Sequence, residues 1–283
     1  TLIKRGHAVD LYERREIGGS LVPGSKPKIK YELDNYLDYL YNVVEKLKEN
    51  EDFTFIKGNA QAESLKAKGY DAILVATGTK QLKPKIMGLD TAKVHFAIEV
   101  LKNPSLVKDV RTIIVLGGGV VGAETAYYLK YELNKDVKLI EMDKYIMPKA
   151  CTANRGHIIH YLEAADVDIL NCTKVASVDG TKVHVIQNTH KNVPSPYVTW
   201  SPILPENVEN PLDNFTKIGE NYKERLLVAD MIILAAGSVA DTSLFYDCQR
   251  LHAANEIYNL GDSFRSARVF EAVRSAYRCA RNI

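Results

Sequence analysis

The residues with the clearest capacity for chemistry are Gly117-x-Gly119-x-x-Gly122 and, 24 positions after Gly117, Glu141. Glycines at this spacing let a chain turn tightly, bring its backbone against a pyrophosphate, and pack a helix on a strand. Exposed amides at the helix start then hold the phosphates. The pattern alone arises by chance, so its surroundings decide its weight. Arg111 to Leu116 reads as an apolar strand, Ala123 to Leu133 as a helix, and Val137 to Ile140 as a second strand ending at Glu141. A carboxylate there accepts hydrogen bonds from the adenosine ribose hydroxyls and repels a 2′-phosphate. No arginine follows it in Met142-Asp-Lys144. The segment reads as a dinucleotide-binding βαβ unit. Gly117, Gly119, Val120, Val121 and Gly122 lie at the pyrophosphate and Glu141 at the ribose, with NADH favoured over NADPH. The alternative is a tight βαβ turn with no ligand.

Four weaker features stand in an informative order. Glu13 ends a short strand that follows the remnant of a helix closed by Gly6. Gly18-Gly19-x-Leu21 comes next, then Ala76-Thr77-Gly78 after an apolar strand, and Gly261-Asp262 after another. Each alone reads as an ordinary turn. A helix end followed by a strand and an acid is the second half of a βαβ unit, whose first strand would lie at the centre of a parallel sheet. Glu124, in the first turn of the helix after the glycines, reads either as a functional acid or as a solvated glutamate favoured by the helix dipole.

The elements that must position these groups alternate between strand and helix. Tyr31 to Asn50 carries apolar residues at helical spacing. Phe53 to Lys57 and Tyr70 to Ala76 read as strands, and Ala97 to Leu101 as a short helix. Arg155 to Ala165 reads as a helix, with strands near 168–170 and 182–186. Five of the ten prolines and the only tryptophan fall in 187–225, a long insertion with a hairpin as one option. Val228 to Ala235 reads as a strand closing at Gly237, which joins the candidate cofactor-binding set. Glu256 to Leu260 is a further strand, and Val269 to Ile283 a final amphipathic helix.

Composition narrows the function classes. The 37 basic and 35 acidic residues leave a net charge of +2, too little to hold a nucleic acid. No run reaches the roughly 18 apolar residues of a membrane span, and no leader pattern opens the sequence. Cys151, Cys172, Cys248 and Cys279 form no CxxC pair and no metal-ligand spacing, so reduced thiols in a cytoplasmic protein without a metal site are expected. The histidines form no catalytic set.

Taken together, Arg5-Gly-His-x-Val-x-Leu-Tyr-Glu13, Ile17-Gly-Gly-x-Leu21, Asp71-Ala-Ile-Leu-Val-Ala-Thr-Gly78, Gly117-Gly-Gly-Val-Val-Gly-Ala-Glu124 and Ile257-Tyr-Asn-Leu-Gly-Asp262 are similar to motifs of the two-dinucleotide-fold flavoproteins, which include the pyridine-nucleotide disulfide reductases. The tail through Glu271–Ala280 adds to the match. The chain looks most like the C-terminal part of 2,4-dienoyl-CoA reductases, 2-enoate reductases and trimethylamine dehydrogenase, which carry an FMN barrel upstream. The resemblance implies an α/β fold of two Rossmann-like domains, a nicotinamide domain (106–227) inserted into a discontinuous FAD domain (1–105 and 228–283). It implies Glu13 at the FAD adenosine ribose, with Arg14 beside the adenine. Gly19 and Leu21 would lie along the flavin, Ala76, Thr77 and Gly78 near the pyrophosphate and ribityl chain, and Asp262 on a ribityl hydroxyl. Glu124 would lie by the nicotinamide. NADH would pass a hydride to FAD, and in the parent protein electrons would continue to an FMN barrel or another acceptor that reduces an activated C=C bond. Two alternatives stay open: a dinucleotide-binding module without turnover, and a free-standing NADH dehydrogenase or ferredoxin reductase. The sequence departs from the pattern in having no glycine turn before Glu13, no redox cysteine pair and no iron–sulfur cysteine cluster.

Overall fold

Along Thr112–Leu116 the apolar side chains divide between two cores, Ile113 and Val115 facing one and Ile114 and Leu116 the other. A strand buried on both faces is the middle of a layered α/β structure, which is why it reads as a continuous apolar run. The computed structural model describes residues 1–200, 208 and 217–283. In chain order the first elements are β1 (Val9–Glu13), α1 (Leu21–Gly24), α2 (Tyr31–Leu47), β2 (Phe53–Lys57), α3 (Ala62–Lys68), β3 (Ala72–Val75) and β4 (Thr79–Gln81). Then come β5 (Val94–Phe96), α4 (Ala97–Lys102), β6 (Thr112–Leu116), α5 (Val120–Tyr127), β7 (Asp136–Ile140), α6 (Thr152–Ala164), β8 (Asp168–Leu170), β9 (Thr173–Asp179) and β10 (Lys182–Asn188). After the long connection follow β11 (Tyr222–Val228), β12 (Met231–Leu234), β13 (Ser238–Ala240), α7 (Ser243–Leu251), β14 (Glu256–Asn259) and α8 (Val269–Ala280).

The chain divides into two compact units. Unit 1 comprises Thr1–Ser25, Tyr31–Gln81 and Ser238–Ile283; unit 2 comprises Lys26–Lys30 and Leu82–Gly237. The main divisions come at 81/82 and 237/238, where the sequence reading placed them at 105/106 and 227/228, and the short stretch Lys26–Lys30 also goes with unit 2. The shift has a cause in the sheet. β5 and β12 pair in parallel and both belong to the central sheet of unit 2, so the segments carrying them go with it.

Unit 2 is three-layered. Its parallel sheet runs β5-β12-β6-β7-β8. One face packs on α4, α5 and α6 through Val100, Ala123, Ala126, Ile158 and Leu162. The other packs on the antiparallel sheet β11-β10-β9 through Val175, Val183, Val185 and Leu227. The expected insertion at 187–225 is thus narrower at both ends. β10 runs to Asn188 and β11 begins at Tyr222, forming a hairpin with 189–221 as its connection. Residues 201–207 and 209–216 of it lie outside the described residues. Sequence reading missed β9, β11 and β5. It also ran the helix after the glycines through Leu133 without a change of type. That helix is α-helical to Tyr127 and continues as a π-helical turn over Tyr128–Glu132.

Unit 1 contains three two-stranded sheets: β1-β2 parallel, β3-β14 parallel and β4-β13 antiparallel. α3 and α7 cover β3 through Ala62, Leu65 and Cys248. Neither helix was read from the sequence. Among the described residues no helix is long and apolar enough to cross a membrane.

Candidate functional site

The end of β6 in unit 2 leads into a turn that only glycine can make. Gly117 has φ +110°, and a Cβ there would meet the Ala235 carbonyl oxygen at 2.5 Å. A Cβ on Gly122 would lie 1.8 Å from the Gly117 carbonyl oxygen and 3.1 Å from the Ala235 side chain. These two glycines bring the start of α5 against the ends of β6 and β12. Gly119, the N-cap of α5, has φ −66° and nothing within 4 Å of where its Cβ would stand. The open space lies where amides are free of side-chain capping, and such a helix start can accept an anion. Val120 and Val121 follow, both partly exposed.

Glu141 follows the last residue of β7 and reaches back to this turn. One carboxylate oxygen accepts from the Gly118 amide at 2.5 Å, the other from the Asp143 amide at 2.8 Å. The strip after it folds onto the same turn, the Met147 amide donating to the Gly118 carbonyl at 2.8 Å. The carboxylate is therefore held beside the glycine turn, with lone pairs left over for a further donor.

Glu124 is not a solvated helix-start glutamate. It is buried, and the Lys30 ammonium lies 2.5 Å from its carboxylate. Burial pushes the Glu124 carboxyl above the ordinary carboxylate value, and the charge and hydrogen bond of Lys30 oppose that rise. Sequence reading missed Lys30. Its only signal was a loop rich in Gly, Pro and Lys, which says nothing about a partner 94 residues away.

In unit 1 the structure joins some candidate residues and not others. β3 and β14 pair in register, Val75 opposite Asn259, so Ala76–Gly78 and Gly261–Asp262 emerge side by side. Buried Ser263, which the sequence did not suggest, sits between the two strand ends, its single hydroxyl proton within reach of the Val75 and Leu260 carbonyls and the Asn259 side-chain oxygen. The Thr77 hydroxyl donates to the Asp241 carbonyl at 2.9 Å. Asp262 accepts from the Ala267 amide at 3.0 Å; a loop separates it from α8, which starts at Val269. Glu13 ends β1, which pairs with β2 alone among the described residues, and accepts from the Arg15 amide at 2.8 Å; Arg14 is exposed. Gly19 has φ +52°, and Leu21 opens the short α1. Gly237 belongs to unit 2, where its carbonyl accepts from the Leu82 amide at 3.0 Å.

Comparison with known proteins identifies the family and the fold. A cinnamate reductase of Clostridium sporogenes is 27% identical over 285 residues, covering 99% of this chain and 36% of the relative. A bilirubin reductase of Mediterraneibacter gnavus is 32% identical over 196 residues, covering 69% of this chain and 30% of the relative. The chain therefore spans about a third of the length of these curated relatives. Among solved structures, a 2-naphthoyl-CoA reductase superposes with a TM-score of 0.77 at 22% identity, over 99% of this chain and 37% of that one. The model of one family, described as pyridine nucleotide-disulphide oxidoreductase, matches residues 6–258. Its members bind FAD and NAD(P)H. With the α/β layering, the glycine turn and a family match across most of its length, the chain belongs to the pyridine nucleotide-disulphide oxidoreductase family.

Proposed function

We propose that unit 2 binds NADH in the glycine cradle, and that the chain is the electron-input part of a flavoprotein in which NADH passes a hydride to FAD. The cradle carries this reading: Gly117 and Gly122 are excluded from bearing a side chain by backbone contact, while Gly119 is left bare over open space. A purely structural turn needs the first two constraints and not the third. Glu141, held by two amides, is assigned to the adenosine ribose and disfavours a 2′-phosphate, so NADH is bound ahead of NADPH. Glu124, kept in place by Lys30, is assigned to the nicotinamide end.

For FAD the fit is partial. Glu13 and Arg14 suit the adenosine ribose and adenine, Gly19 and Leu21 the flavin side, Ala76–Gly78 the ribityl and phosphate region, and Asp262 a ribityl hydroxyl. No second GxGxxG exists in the 283 residues to hold the FAD pyrophosphate. When bound, the flavin supplies the two-electron acceptor, and the protein supplies placement and electrostatics. On this reading unit 2 is the nicotinamide unit and unit 1 the flavin unit. In the whole protein electrons continue to an FMN barrel or another acceptor that reduces an activated C=C bond. The relatives named cinnamate reductase and 2-naphthoyl-CoA reductase, both longer than this chain, support that extension. The free thiols fit a reducing, cytoplasmic setting.

One second reading is a dinucleotide-binding module without turnover, since the glycine cradle would hold a dinucleotide whether or not a hydride moves on. Mixing the chain with NADH, FAD and ferricyanide separates the two. Ferricyanide reduction that needs FAD supports hydride transfer. Saturable NADH binding with no such activity supports the module.

A further inference from the structure

The connection after β10 is fastened to unit 2 by side chains that the glycine cradle does not use. Arg155, in the first turn of α6, is 1% exposed. Its Nε donates to the Ile146 carbonyl at 2.7 Å, and Nη1 donates to the Thr199 carbonyl. Among the described residues Nη2 has no partner, and the guanidinium carbon lies 5.8 Å from the Tyr145 ring centroid. No carboxylate pairs with it among the described residues. Asn171 repeats the arrangement nearby, its side-chain nitrogen donating to the Lys144 carbonyl at 2.9 Å and the Pro194 carbonyl at 3.0 Å. The Tyr197 hydroxyl adds a bond to the Val167 carbonyl at 2.6 Å.

Two side chains thus each bridge a carbonyl in 144–146 to a carbonyl in 194–199. The 144–147 strip is the one that touches the cradle. Met147 donates to the Gly118 carbonyl, and the Ile146 side chain would stand 2.7 Å from a Cβ on Gly118. A buried guanidinium with no counter-charge and one idle nitrogen among the described residues is a costly way to hold a surface loop, since apolar packing does it for less. Its planar fork does what apolar packing cannot, fixing two carbonyls at a set spacing.

We propose that residues 194–200 form the outer wall of the adenosine subsite, and that Arg155 and Asn171 are positioning residues coupling this wall to the strip after Glu141. The ligand class is the adenosine diphosphate half of a dinucleotide, and the inference rests on the NADH reading above. Trp200, the chain's only tryptophan and 60% exposed, stands next to the anchored Thr199 and reports on the wall.

The test uses the full chain and ADP-ribose, which carries the adenosine half without the nicotinamide. Affinity is read by calorimetry and the wall by Trp200 emission. In the wild type, saturating ADP-ribose changes the emission. Arg155→Met weakens ADP-ribose by about tenfold, and the emission change is lost even at saturation. Arg155→Lys does not restore it, because one ammonium does not reproduce the fork. Asn171→Asp, which sets a carboxylate against two carbonyls, has the same effect and serves if Arg155→Met does not fold. Wild-type binding without any emission change overturns the proposal, as does a variant that keeps both wild-type affinity and the emission response. Failure of the wild type to bind ADP-ribose overturns the NADH reading itself, and this inference with it.

Discussion

Three glycines in one turn make opposite demands, and substitutions should separate them. Gly119 has an ordinary φ and open space before it. Gly119→Asp should therefore fold normally, with an unchanged melting temperature, while placing a carboxylate where the pyrophosphate must approach. NADH affinity should fall at least about tenfold, from charge repulsion and lost amide access. Gly122→Ala is the converse. Its Cβ would collide with the Gly117 carbonyl, so overpacking should destabilise the chain by about 1–3 kcal/mol in urea unfolding. Glu124 makes a prediction in pH. Its carboxyl is raised above the ordinary 4.5 by burial, so ionisation weakens the fold. The stability it lends is complete below 4.5 and lost as pH rises through the higher folded value. Glu124→Gln cannot ionise. Its melting temperature relative to wild type should climb as pH is raised from about 4 to about 8. A constant difference across that range would show that Glu124 does not titrate as the buried member of a pair.

At the scale of elements, Asp230 sets how β12 enters beside β6. Its carboxylate accepts from the Arg111 amide at 3.1 Å and the Thr112 amide at 2.8 Å, and its own amide donates to the Thr112 carbonyl at 2.9 Å. Thr112, through its amide and hydroxyl, holds the Asp230 carboxyl below the ordinary value of 3.8. A depressed carboxyl lends stability above 3.8 that is lost as pH falls through the folded value. Asp230→Asn should therefore cost stability at neutral pH, roughly 1 kcal/mol or less because the group is exposed, and the deficit should close in acid. Urea midpoints at neutral and acid pH check this. The elements legible in sequence were those with a strong local signal. β6 and β7 are apolar runs flanking a glycine turn, and α2 has apolar residues at helical spacing with acids in its first turn. β11 was missed because it is exposed along nearly its whole length and carries Lys-Glu-Arg in its middle, so its strand character comes from pairing with β10 rather than from burial. The cradle was legible for the same reason as β6. Lys30, Ser263 and Arg155 were not, because each acts through a partner distant in sequence.

For the whole molecule, the two units should answer NADH differently. Unit 2 holds every residue assigned to NADH, from Lys30 through Glu141 to the wall at 194–200. With NADH alone, amide exchange should slow around 117–124 and 140–147 and stay unchanged at Ala76–Gly78 and Gly261–Asp262, as mass spectrometry of deuterated peptides would read. The most direct measurement is calorimetric titration of NADH into the flavin-free full chain, wild type and Gly119→Asp in parallel. Expected is one-to-one binding by the wild type, with a dissociation constant on the order of micromolar, and a loss of at least about tenfold in the variant. No binding by the wild type at millimolar NADH, or equal binding by both proteins, would contradict the assignment of the glycine turn as a dinucleotide cradle.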